Sequence, residues 1–126
     1  MNKNTTIILC PTIETTFDAI KDSLTHEGFK KVHIAWNVPD IINQMPDNEK
    51  CIVVCDSAVR TDEHFLKDPY RVDILSQKLK AVNKFCKVIL YYTVKYNSFF
   101  EGVDVIINAL DHKSYFVLKK EIKLVI

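Results

Sequence analysis

Five short runs of nearly unbroken apolar character divide the chain: Thr6–Cys10, Lys31–Trp36, Cys51–Asp56, Lys87–Thr93 and Val103–Asn108. A strand with one wet face alternates apolar and polar residues, whereas a strand covered by helices on both faces reads as a continuous apolar run. Between these runs the period changes. Phe17, Ile20 and Leu24 recur at three- and four-residue steps, predicting a helix from about Thr15 to Glu27 with Gly28 as its stop. Pro39 suits the first turn of a second helix, with Ile41, Ile42 and Met45 inward and Pro46 past its end. Val72, Leu75, Leu79 and Val82 mark a third. Asp111 caps a last helix whose buried face reads Tyr115, Leu118, Ile122 and Val125. Strands alternating with helices make βαβ units. The pattern therefore predicts an α/β fold, a doubly wound (βα)5 domain on a five-stranded parallel sheet, spanning residues 1–126 as one unit.

Composition narrows the function more by exclusion than by assertion. Of 126 residues, 48% are hydrophobic and 26% charged, and the formal net charge is +1. That balance gives no electrostatic basis for capturing nucleic acid or an anionic membrane. The segment Lys119-Lys120-Glu121-Ile122-Lys123 is mildly basic, and its lysines are expected to keep the outer face of the last helix wet. No run approaches the ~20 apolar residues of a bilayer span. The apolar stretch before Pro11 is too short for a signal-peptide core, so a cytoplasmic location is expected.

The four cysteines, Cys10, Cys51, Cys55 and Cys86, fall in or next to strand-like runs, where a reduced thiol behaves as a small buried hydrophobe. No CxxC occurs, and His26, His33, His64 and His112 are scattered, so no metal site is expected. Two glycines in the whole chain exclude a glycine-rich phosphate loop, and no cofactor is expected.

The run Cys51–Asp56 ends on a carboxylate. Ligands and chemistry gather at the carboxyl ends of strands in such sheets, which makes Asp56 the first candidate site residue. Three passages lie around it in a telling order. Ser23-Leu24-Thr25-His26-Glu27-Gly28-Phe29 precedes Val32-His33-Ile34-Ala35-Trp36-Asn37; Ile52-Val53-Val54-Cys55-Asp56 comes next; Gly102-Val103-Asp104-Val105-Ile106-Ile107-Asn108-Ala109-Leu110-Asp111 comes last. In that order and spacing the chain resembles a response-regulator receiver domain over essentially its whole length. The resemblance implies a receiver-like, flavodoxin-like fold and puts Asp56 where the phosphorylated aspartate sits.

The chemistry departs from that family. Where receivers carry paired carboxylates that hold Mg²⁺ after the first strand, this chain has Cys10-Pro11-Thr12. Phosphoryl transfer to an aspartate depends on a cation that neutralises developing charge. The family's lysine and proline at the end of the fifth strand correspond to Asn108 and Ala109, and a neutral amide cannot offset an acyl phosphate. The strand-four hydroxyl corresponds to Tyr92 or Thr93. Arg60 stands where the family favours proline. The connection between Thr93 and Gly102 is short for a fourth helix.

Two readings of Asp56 compete, a phosphoryl acceptor or a cap of the following turn. Cys10 has two as well. Cys10-Pro11-Thr12, with Thr61-Asp62-Glu63-His64-Phe65 further on, is similar to the cysteine-phosphorylated IIB components of sugar phosphotransferase systems. There Cys10 would be the nucleophile; otherwise it is a core thiol. The aromatic cluster Tyr91, Tyr92, Tyr96, Phe99 and Phe100 is dense. One of Tyr91 and Tyr92 must face the core, because neighbouring strand residues point to opposite faces. By resemblance, Tyr96, Phe99, Phe100, Asp111 and Lys113 form an output surface. The expected function is regulatory interaction with a protein partner or a second copy, without enzymatic turnover. Phosphoryl acceptance through Asp56 or Cys10 is the alternative.

Overall fold

β1 (Thr6–Cys10) and β3 (Cys51–Cys55) are buried at every residue. Their unbroken apolar sequences require cover on both sides, and that requirement organises everything around them. The computed structural model describes residues 3–11, 17–55, 72–92, 103–108 and 114–125. The remaining strands are β2 (Val32–Ile34), β4 (Cys86–Tyr92) and β5 (Val105–Asn108). They form one five-stranded sheet in the order β2-β1-β3-β4-β5, with every pairing parallel.

Four helices are present among the described residues: α1 (Asp18–His26), α2 (Val38–Gln44), α3 (Val72–Val82) and α4 (Ser114–Val125). Two apolar clusters show where they lie. Ile7, Leu9, Ile52, Val54, Ile89, Tyr91 and Ile107 pack with Phe17, Ile20 and Leu24 around α1 and with Leu118 and Ile122 of α4. Ile8, Cys10, Val53, Cys55, Val88 and Leu90 point the other way and pack with Val38 and Ile41 of α2 and Leu75 and Leu79 of α3. The α/β class and the all-parallel five-stranded sheet are thus as the apolar runs predicted.

Element ends differ from expectation for local reasons. α1 begins at Asp18, and Thr15 lies outside the described residues. Phe17 precedes the helix with a non-helical backbone because its ring is in the core, 5.5 Å from the ring of Tyr91. The helix stops at Gly28 as its φ of +102° requires. The Phe29 N–H then reaches back to the Leu24 carbonyl and the Gly28 N–H to that of Thr25, a closed C-terminal turn with Phe29 buried behind it. α2 is capped by Asn37, whose side chain accepts from the Asp40 N–H at 2.9 Å, and Pro39 stands in its first turn. Cys86, expected just before a strand, is the first residue of β4.

Val82, expected inward, is 48% exposed at the end of α3. The inward place after Leu79 belongs instead to Asn83, a buried amide. Its Nδ2 donates to the carbonyls of Pro46 (2.9 Å) and Glu49 (2.8 Å), and its Oδ1 accepts from the Phe85 N–H (3.0 Å). One side chain thereby ties the α2–β3 connection to the α3–β4 turn. Asn83→Ala leaves these carbonyls and that N–H short of partners, each worth about 1–3 kcal/mol when buried. The variant is expected to lose about 3 kcal/mol, seen in urea unfolding as a lower midpoint at unchanged slope. Asn83→Asp should be no better, since it turns two donors into a buried carboxylate facing carbonyl oxygens.

Candidate functional site

Two regions hold the candidate residues or stand out in the structure: the carboxyl edge of the sheet and the outer face of α4. At the carboxyl edge the parallel register places Cys10 beside Cys55, and Tyr92 beside Asn108. β3 stops at Cys55, and β5 ends at Asn108. Asp56 is the next residue of the chain after β3. It lies outside the described residues, as do Glu14, Thr93, Tyr96, Phe99, Phe100, Asp111 and Lys113. Cys10 is described and is fully buried, in the cluster beneath α2 and α3. Among the described residues no group of three His, Cys, Asp or Glu side chains converges to hold a metal ion. Tyr91 is the strand-four tyrosine that faces the core, against Phe17.

At this edge β2 gives way to Trp36, which is solvent-exposed. Its N–H donates to Oδ2 of Asp40 at 3.2 Å. At the opposite, amino edge an open polar hollow of about 320 Å³ is lined by Asn4, Thr5, Lys31, Glu49 and Lys50.

The last helix holds the unexpected feature. Leu118 and Ile122 are buried as predicted, yet Phe116 is 73% and Leu124 67% exposed, with Val117 beside them. Phe116, Lys120 and Leu124 follow one another at four-residue steps and so share one face. Ile106 of the edge strand β5 is also exposed. The signal for this face was present in the sequence. Ser114–Val125 reads SYFVLKKEIKLV, more apolar residues than one buried stripe of a helix can take.

The lysines of α4 act differently from the expectation that they merely solvate it. Lys119 Nζ donates to Ser23 Oγ at 2.6 Å and lies 3.5 Å from Glu27 Oε2. Lys123 Nζ donates to Glu27 Oε1 at 2.6 Å. Both reach across to α1, and Lys120 alone of the three is fully on the outside. These contacts are consistent with the rotation of α4 that buries Leu118 and Ile122 and leaves Phe116 and Leu124 outward.

No family model, no curated protein and no solved structure matches the chain.

The hydrogen bond from Lys123 holds the Glu27 carboxyl below its usual range; partial desolvation opposes this, and the charges of Lys119 and Lys123 add to it. A carboxyl pKa lower in the folded than in the unfolded chain stabilises the fold fully above the ordinary carboxylate range. That contribution is lost as pH falls through the folded value. Glu27→Gln should therefore flatten the acid limb of stability. Between neutrality and about pH 3, the thermal midpoint of the variant is expected to fall less than that of the parent. The difference should shrink at high salt, because the pair is at the surface.

Proposed function

We propose that this chain is an atypical receiver-like domain of the doubly wound (βα)5 type. It serves, without phosphorylation, as a regulatory protein–protein interaction or dimerisation module. The observation that carries the reading is the exposed apolar face of α4, Phe116 and Leu124 with Val117. Isolated apolar side chains at a surface need no explanation, but a contiguous group on one helix favours a partner. Tyr96, Phe99, Phe100, Asp111 and Lys113 extend the proposed surface.

The strand order β2-β1-β3-β4-β5 supports the fold assignment, since it is the order of flavodoxin-like doubly wound sheets. No helix among the described residues is long and apolar enough to cross a membrane. Asn108 at the end of β5 and Cys10 at the end of β1 supply neither a cation nor a carboxylate to a phosphoryl site at Asp56. The full burial of Cys10 disfavours the cysteine-transfer alternative.

The reading is tested by Phe116→Ser combined with Leu124→Ser. Neither side chain is buried, so the variant should keep its unfolding free energy within about 1 kcal/mol of the parent's. It should also lose self-association in sedimentation equilibrium, or lose capture of a partner that the parent retains. Unchanged association would place the interface elsewhere, and Phe99→Ser with Phe100→Ser would then be the next pair.

Independence from phosphorylation has its own measurement. Intact mass after incubation with acetyl phosphate is expected to show no adduct with or without Mg²⁺. A Mg²⁺-dependent adduct that Asp56→Asn abolishes would make the protein a working receiver instead.

A further inference from the structure

All four cysteines lie on the same side of the sheet, in the cluster under α2 and α3, and the register sets them in two cross-strand pairs. Cys10 stands beside Cys55 near the carboxyl edge, and Cys51 beside Cys86 at the amino edge. The amino-edge pair differs from a pair of inert core thiols in three ways.

First, the two side chains share a face and a register position on neighbouring strands. Strands spaced about 4.8 Å apart hold such Cα atoms inside the ~4.4–6.8 Å range that a disulfide spans. Second, Cys86 acts directly on the ionised form of Cys51 as a hydrogen-bond partner, while its Sγ donates to the Lys87 carbonyl at 3.9 Å when both thiols are neutral. The Asn83 amide Nδ2 also donates to Cys51 Sγ at 3.7 Å, and the negative form of that sulfur gains from both donors. Their effect is opposite on the two thiols: the bond from Cys86 draws the Cys51 pKa down, while Cys86 is pushed far up by the same bond and by burial. The pair can hold one negative charge and one proton between its two sulfurs, and the Asn83 donor on Cys51 makes that sulfur the site for the charge. Third, Cys51 and Cys86 are the first residues of β3 and β4, and each is one residue from an exposed neighbour, Lys50 and Phe85 respectively. Opening of the sheet edge by one residue pair exposes both sulfurs to a small oxidant.

We propose that Cys51 and Cys86 form an oxidisable dithiol that closes into a reversible cross-strand disulfide joining the amino ends of β3 and β4. With a hydroperoxide as oxidant the Cys51 thiolate attacks the peroxide oxygen and becomes a sulfenic acid, releasing water or the corresponding alcohol. The Cys86 sulfur then displaces the hydroxyl as a second water, and the S–S bond forms. The two sulfurs together give up two electrons and two protons, and the peroxide O–O bond takes them. Parallel strands hold their Cβ atoms side by side rather than converging, so closure strains the pair. A strained disulfide is readily reduced again. Closure also pulls Cys51 Sγ away from Asn83, the side chain that ties the neighbouring connections together, so oxidation should be felt in the stability of that edge.

The test uses the full chain. After hydrogen peroxide treatment, quenching and alkylation in denaturant, intact mass should show a species with two fewer alkylated thiols. Without alkylation it should be lighter by about 2 Da, the two lost thiol hydrogens. Peptide mapping of the unmutated protein should join the peptides that carry Cys51 and Cys86, and dithiothreitol should restore both thiols. Cys51→Ser and Cys86→Ser should each abolish the link, while Cys10→Ser leaves it. The proposal is overturned if four thiols alkylate after oxidant treatment, if the mapped link joins other cysteines, or if oxygen adducts accumulate without a link. The mapping on unmutated protein decides the matter even if a serine variant fails to fold.

Discussion

Burial of β1 and β3 on both faces is the constraint on which the rest of the structure rests. Ile7, Leu9, Ile52 and Val54 face one way and Ile8, Val53, Cys10 and Cys55 the other, and none is exposed to water. A parallel sheet cannot turn its chain at an edge without a crossover, and helices that cover an apolar face are the crossovers that fit. α1 and α4 cover one side, and α2 and α3 the other. The remaining features follow as ways of holding those helices in place. Gly28 ends α1 in a turn that buries Phe29, Asn37 caps α2, Asn83 pins the end of α3, and Lys119 and Lys123 fasten α4 to α1.

Much of this was legible in the residues because continuous apolar runs and helical periodicity are local signals. The five strands and four helices fall close to where Thr6–Cys10, Cys51–Cys55 and the Ile20–Leu24 and Leu118–Ile122 spacings put them. What was not legible depended on register or on distant partners. Val82 reads as an inward residue by period alone. It is turned out because the next residue, Asn83, finds carbonyls at Pro46 and Glu49, which no spacing rule connects to it. Lys119 and Lys123 read as solubilising charges, and their partner Glu27 is remote in sequence. The pairing of Cys51 with Cys86 requires the β3–β4 register, which side-chain type does not fix.

The candidate site was legible in a different way. What the sequence offered for its chemistry was an expectation by subtraction, drawn from a resemblance: Cys10-Pro11-Thr12 where receivers carry carboxylates, and Asn108 where they carry a cation. Its surface could not be read so easily. The expected surface residues Tyr96, Phe99, Phe100, Asp111 and Lys113 lie outside the described residues. The apolar face seen on α4 is built from Phe116, Val117 and Leu124, residues that a single-stripe reading of the helix passes over.

Why α4 leaves that face outward is a question of competing rotations. Turning the helix by about 100°, one residue's step, would bring Val117 toward the sheet. It would also carry Leu118 and Ile122 out of the cluster that contains Ile107 and Leu24, and draw Lys119 and Lys123 away from Ser23 and Glu27. Burying a large apolar side chain contributes roughly 1.5–3 kcal/mol, so exchanging one apolar pair for another gains little. The ion pairs, modest at a surface, favour the same rotation as the burial of Leu118 and Ile122. The helix has more apolar surface than one sheet can cover, and the buried pair together with the charged contacts to α1 leaves Phe116, Val117 and Leu124 outward. The surplus is a property of the sequence; its placement, away from the core, is a property of the fold.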